Sequence, residues 1–279
     1  MKLQTIFTRN ARIVVLLVLM ILVSACDAAP ENLTPAETLP VLVETAANPA
    51  AAETVPASGD EHSTPRVTVD VTPVAQKSTS LLVAAVPPSP EAPWWKAMPE
   101  HTLLTLQGYP VSDHLLTPQI FVFPVEGLDV NVVAGKVAEG LQALLQDHQM
   151  GQSLPYLPPY NAAQVLHAQV KYLDFATGQG VRFLTQYDQG LVPVNNRQLL
   201  YTFQGLTSDG KYYLAAVLPV NLAGLPAAEN VTDSLPVDFF DNFPHYLEDT
   251  VEMLDQQAAS AYTPDLSQLD AMIQSIEIK

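Results

Sequence analysis

The residues that could carry chemistry are few and widely spaced. His101, His114, His148, His167 and His245 are scattered, with no pair at metal-ligand spacing. Asp238, Asp241, Glu248 and Asp249 crowd one stretch where oxygen ligands could gather Ca²⁺, but the spacing of an EF-hand loop is missing. Acids ahead of a helix also favour its dipole, and that simpler role is expected here. There is no G-x-S-x-G elbow, no H-E-x-x-H and no Walker loop. Gly178-Gln179-Gly180 lacks a third glycine and reads as a turn. No catalytic residue, metal or cofactor is expected from these patterns.

The aromatic residues are more suggestive. Tyr156, Tyr160 and Asn161 fall in the proline-rich stretch Leu154-Pro155-Tyr156-Leu157-Pro158-Pro159-Tyr160-Asn161. Tyr201, Tyr212 and Tyr213 fall on a predicted hairpin. Tyrosine beside an amide suits a peptide or a sugar, and half-buried packing with a wet hydroxyl is the competing role. The candidate ligand-binding set is Tyr156, Tyr160, Asn161 and Tyr201.

The chain holds one cysteine, Cys26. Lys2, Arg9 and Arg12 come first, with no acid before Asp27, and Ile13 to Val23 is unbroken and apolar. A basic start, a short apolar run and small residues at its end make a secretory signal peptide over residues 1–25. The run is too short for a membrane-spanning helix, which needs about 20 residues. Val23-Ser24-Ala25-Cys26 resembles the lipobox of bacterial lipoproteins. The resemblance implies a diacylglycerol thioether on Cys26, cleavage after Ala25 and anchoring at the extracytoplasmic face of a cell membrane. Acyl chains contribute about 0.8 kcal/mol per buried CH₂, so two or more hold stably. A lipidated Cys26 leaves no thiol for disulfides, metal or nucleophilic catalysis. Asp27 resembles an inner-membrane retention signal.

Without residues 1–25 the chain keeps 9 Lys and Arg against 29 Asp and Glu, a net charge of −20. Such a surface repels phosphate, so nucleic acid is excluded as a partner. From residue 26 to 93 the composition is Pro, Ala, Thr, Val and Glu, with Pro30, Pro35, Pro40, Pro49, Pro56, Pro65, Pro73, Pro87, Pro88, Pro90 and Pro93 breaking every period. The segment reads as a disordered tether, with a span of roughly 45–50 Å as a flexible coil. A strand or docked element at Ser80 to Val86 is the alternative. Both tryptophans, Trp94 and Trp95, open the remainder, so residues 94–279 are expected to form one globular domain.

The elements that position the tyrosines follow from periodicity. His101–Gln107 and Gln119–Phe123 read as strands. Asn131 caps a helix whose apolar face holds Val133, Val137, Leu141, Leu144 and Leu145, with Gly151 as its stop. His167–Phe175 and Val181–Tyr187 form a hairpin that sets Phe175 opposite Val181 and Asp174 opposite Arg182. Leu199–Leu206 and Lys211–Val220 form a second around Ser208-Asp209-Gly210, with Leu206 opposite Tyr212 and Phe203 opposite Ala215. Tyr212 to Val220 is apolar on both faces, as in a sheet covered on both sides. A helix begins near Pro244. Another opens at Thr263-Pro264-Asp265, with Thr263 as cap and proline at the first position. Ser275 to Lys279 closes as a strand.

The fold class is α+β, an antiparallel sheet flanked by helices. The order of elements and the "SIEI" ending loosely resemble the Mog1/PsbP-like sandwich. The stretches "NAAQVLHAQVKYLDF" and "LLYTFQGLTSDGKYY" resemble uncharacterised bacterial lipoproteins, which imply no activity. The expected role is a lipid-anchored binding or interaction domain for an envelope protein, peptide or sugar. A hydrolase whose acids assemble only in space, and a ligand-free subunit of an envelope complex, are the alternatives.

Overall fold

The computed structural model describes residues 64–228, 235 and 237–279. The signal segment, Cys26 and residues 27–63 of the expected tether lie outside it.

Two short runs come first: β1 is Val67–Thr68 and β2 is Lys77–Val83. β3 (His101–Gln107) and β4 (Gln119–Pro124) lead to helix α1 (Val132–Asp147). β5 (Ala163–Phe175), β6 (Gly178–Asp188), β7 (Leu200–Thr207) and β8 (Tyr212–Pro219) follow. The chain ends with β9 (Asn221–Leu222), α2 (Phe243–Asp255), β10 (Tyr262–Thr263), α3 (Leu266–Gln274) and β11 (Glu277–Ile278). Seven strands make one antiparallel sheet in the order β2-β3-β4-β8-β7-β6-β5. The expected α+β class, an antiparallel sheet flanked by helices, is the architecture observed. Among the described residues no helix is long and apolar enough to cross a membrane.

β8 is central and apolar on both faces because both faces are covered. Tyr213 and Ala215 join Phe123, Phe183, Leu141 and Leu144 beneath α1. Leu214, Ala216 and Leu218 join Tyr201, Phe203, Leu269 and Ile273 beneath α2 and α3. The strand period of two sorts neighbours to opposite cores.

The structure corrects the expected domain boundary at residue 94. β2 lies within the expected tether, yet pairs residue for residue with β3, from Lys77 opposite Gln107 to Val83 opposite His101. The alternative, a strand near residues 80–86, holds and starts three residues earlier. The physical reason is local: no proline stands between Pro73 and Pro87, so that window can donate a full ladder. β1 is also part of the domain, with Val67 opposite Ile278.

Both hairpin registers differ from expectation. Phe175 pairs with Gly178, so the first turn is Ala176-Thr177 and Arg182 sits opposite Lys171 rather than Asp174. Gly178 and Gly180 are strand residues, not turn residues. A Cβ at Gly178 would overlap the Phe175 ring, and one at Gly180 the Phe203 ring. In the second hairpin Leu206 pairs with Tyr213 and Phe203 with Ala216. Lys211 joins the loop there, because Asp209 accepts its N–H at 3.1 Å and Gly210 takes the left-handed φ of 70°.

Asn131 caps α1 as expected, accepting from Val133 N–H at 3.0 Å and Ala134 N–H at 3.2 Å. The buried face is Ala134, Ala138, Leu141 and Leu144, and Val133 is exposed. The helix stops at His148, φ 57°, three residues before Gly151. α2 carries its proline in the first turn as expected. In α3 the cap is Asp265, which accepts from Ser267 N–H at 2.8 Å; Thr263 belongs to β10.

Candidate functional site

The four residues of the expected ligand set do not converge. Tyr201 is fully buried under α3, and its hydroxyl donates to Asp270 at 2.9 Å. Tyr156 is buried on the other face, against Tyr187 at 4.6 Å and Tyr160 at 5.6 Å between ring centroids. Tyr160 is half-buried in that cluster, and Asn161 is exposed, its carbonyl accepting from Gln189. The alternation of β7 decides the matter, since Leu200 faces α1 and Tyr201 therefore faces α3. Tyr156 and Tyr201 are packing residues. Burial pushes both phenols well above their ordinary range; the neighbouring Asp270 carboxylate adds to the effect on Tyr201.

Asp270 gathers a polar cluster in the interior. Its Oδ1 accepts from Arg182 Nε at 3.2 Å and its Oδ2 from Lys171 Nζ at 2.9 Å. Arg182 also donates to Gln169 O. All of these groups pair with one another, so the cluster fastens α3 to β5 and β6.

The histidines stay apart. His101 lies against the Phe123 ring at 4.7 Å, and burial lowers its pKa. His114 binds the backbone, accepting from Leu116 N–H at 2.9 Å. His148 stacks on Tyr172 at 4.2 Å. His245 stands 3.6 Å from both Glu248 and Asp249 on the exposed side of α2. Among the described residues no three His, Cys, Asp or Glu are placed to hold a metal.

A groove lies in the stretch expected to be tether. After β2 the chain runs through Pro87, Pro88, Pro90 and Pro93 into the turn Trp94–Lys96. This run is closed at its base by Val86 and Met98, whose N–H and C=O groups exchange bonds of 2.9 and 3.0 Å. Each proline fixes its own φ, so the wall is stiff without a ladder of its own. The facing wall is Val130 to Val133 at the start of α1. Between them lies a groove of about 450 Å³, mostly apolar, with Trp94 48% and Val132 70% exposed at its mouth. That volume lies within the range of small-ligand sites, roughly 300–1,000 Å³.

Asn131 fastens the two walls. Its Oδ1 caps α1, while its Nδ2 donates to Trp94 O at 2.9 Å and to Ala97 O at 3.0 Å. Both donors and both acceptor positions are used, and the side chain is 4% exposed. The sequence signal for this site was Pro-Pro-Ser-Pro running into Pro-Trp-Trp. Proline density masked it, because the same residues that exclude helix and sheet also stiffen an extended wall.

Comparison with protein-family models, with curated proteins and with solved structures finds no match to this chain.

Proposed function

We propose that this chain is a lipid-anchored lipoprotein at the extracytoplasmic face of a cell membrane. In this reading its folded domain binds an extended apolar peptide of an envelope protein. The anchor rests on Val23-Ser24-Ala25-Cys26 and the basic, apolar residues before it. The observation that carries the binding role is the groove between Pro87–Trp94 and the start of α1, with an exposed tryptophan at its mouth.

The lining favours a peptide over a sugar. A sugar site sets fixed donors and acceptors around its aromatic platform. Here the amide of Asn131 is spent on the fold, and prolines and valines supply most of the walls. Apolar side chains are the better match, each contributing about 1.5–3 kcal/mol when fully buried.

Two experiments test the two halves. Cys26→Ser is expected to lose fatty-acid labelling and to leave the precursor uncut; unchanged labelling refutes the anchor. For the groove, a displayed library of random peptides is selected on the protein. Enriched sequences are expected to be apolar, and to lose binding to Trp94→Ala and Val133→Asp while both variants keep the native circular dichroism. Binding that survives both substitutions refutes the groove.

A further inference from the structure

The sheet has two outer edges, and they are built differently. β5 is broken by two bulges, at Gln164/Leu166 and Ala168/Lys171. Gln169, φ 54°, turns there into the end of α2, and its amide donates to the carbonyls of Leu254, Asp255 and Gln257. That edge is bent and tied down. β2 is straight: seven residues pair with β3 in unbroken register, and no described strand pairs with its outer side.

The direction of its peptide groups follows from the rest of the sheet. Leu106 N–H donates to Pro118 O at 3.1 Å, and Val125 N–H to Lys211 O at 2.8 Å. Alternation along each strand then turns the even-numbered residues of β3 toward β4 and the odd-numbered ones toward β2. Their partners in β2 are Lys77, Thr79, Leu81 and Val83. Ser78, Ser80 and Leu82 therefore direct N–H and C=O outward. Leu81 and Leu82, on opposite faces of the strand, are 63% and 44% exposed. Solvent-facing edges are ordinarily blunted by bulges, proline or charge. β2 carries only Lys77, at one end.

Charge points to the same place. From residue 64 onward the chain has 22 acids against 9 Lys and Arg, a net −13. β2, β3 and β4 together contain no acid at all. This is the end of the sheet where two copies of an anionic domain meet with least repulsion.

We propose that β2 is a pairing edge for a second copy of this chain, the two β2 strands running antiparallel about a two-fold axis at Ser80. This centre uses the whole strand and only outward-facing peptide groups. Ser80 faces its own counterpart, Ser78 faces Leu82, Thr79 faces Leu81 and Lys77 faces Val83. The two lysines lie at opposite ends, the leucines gain cover on both faces, and one sheet runs through both protomers. A closed two-fold contact of this kind needs one self-complementary patch.

The register gives a direct test in the full-length chain, in its own membrane. Ser80→Cys is expected to yield a disulfide-linked species of twice the chain mass on mild oxidation. Its counterpart would lie about 5.5 Å away between Cα atoms, within disulfide reach. Ser78→Cys, on the same exposed edge, is expected to stay at the background of the unmodified chain. Its counterpart would be displaced by about 13 Å along the strand, four residues at about 3.3 Å each. The double variant Ser78→Cys/Leu82→Cys is expected to link as well as Ser80→Cys. Equal linking by Ser78→Cys and Ser80→Cys indicates random collision and overturns the proposal. No linking by Ser80→Cys, or linking only to a product of another mass, also overturns it. None of these outcomes depends on the groove or its ligand.

Discussion

Asn131 performs two separable tasks, and substitution can divide them. Asn131→Ala removes the cap of α1, at a cost of about 1 kcal/mol. It also removes both donors from the part-buried carbonyl of Trp94 and the buried carbonyl of Ala97, at about 1 kcal/mol each. The expected loss is about 3 kcal/mol. Asn131→Ser keeps an equivalent cap oxygen and loses only the loop contacts, so its expected loss is about 2 kcal/mol. With an m-value near 3 kcal/mol/M in urea, the alanine variant lowers the midpoint by about 1 M. Circular dichroism follows the whole fold. Fluorescence follows the groove, because the chain's 2 tryptophans are Trp94 and Trp95. Both variants are expected to shift tryptophan emission to the red under native conditions. A serine variant as stable as the unmodified protein means the amide does not hold the wall. A serine variant as costly as alanine means the cap contributes nothing. Either result refutes the division.

Asp270→Ala leaves Arg182 buried without its carboxylate, and an equilibrium melt is expected to show a loss of about 3–5 kcal/mol. Gly180→Ala forces a methyl into the Phe203 ring and the Gln204 carbonyl, and about 1–3 kcal/mol of overpacking is expected in the same assay. Burial holds the phenols of Tyr109, Tyr156, Tyr201 and Tyr213 well above the ordinary value, so the unfolded chain ionises first. Their contribution is full below about pH 10 and falls as pH rises toward the folded values, by about 1.4 kcal/mol per unit for each phenol. Melting temperatures taken from pH 9 to pH 11.5 should therefore drop steeply above pH 10, and Tyr201→Phe should make that drop shallower. Limited proteolysis is expected to leave a stable fragment that still contains β1 and β2; a fragment beginning near Trp94 would contradict the pairing of β2 with β3.

Sequence patterns reported the elements well and their registers poorly, for reasons visible in single residues. β3 spans the expected His101–Gln107, and Asn131 is the cap its type suggested. Of the expected α1 face, Leu141 and Leu144 are buried and Val137 and Leu145 pack beside them, but Val133 was misplaced because valines outweigh alanines in an apolar count. Small Ala134 and Ala138 are buried, and exposed Val132 and Val133 line the groove instead. Gly178 and Gly180 were assigned to a turn because glycine ordinarily marks one. They lie in a strand because Phe175 and Phe203 cover them, and that depends on partners far along the chain. Arg182 was matched to Asp174 across the hairpin. Its partner is Asp270, which only the docking of α3 supplies. The tyrosine set failed for a related reason, since strand alternation sends Tyr201 to the core opposite Tyr156. The groove was invisible because a stiff proline wall and a loose proline tether share one composition.

The pairing of β1 with β11 sets an order on how the domain closes. Arg66 and Lys279 exchange backbone bonds of 2.8 and 3.0 Å, and Asp70 N–H donates to Ser275 Oγ at 2.9 Å. These partners stand more than two hundred residues apart. Closing so long a loop costs roughly 5 kcal/mol in chain entropy. A few peptide bonds worth about 1 kcal/mol each cannot offset that alone. β1 therefore has no reason to settle until the sheet and α3 have already brought residues 277 and 278 to it. A nascent chain has no β11 to pair with β1 until residues 277 and 278 have been made. The opening strand of the described domain therefore stays unpaired across more than two hundred residues of synthesis, and is among the last parts of the fold to lose its freedom.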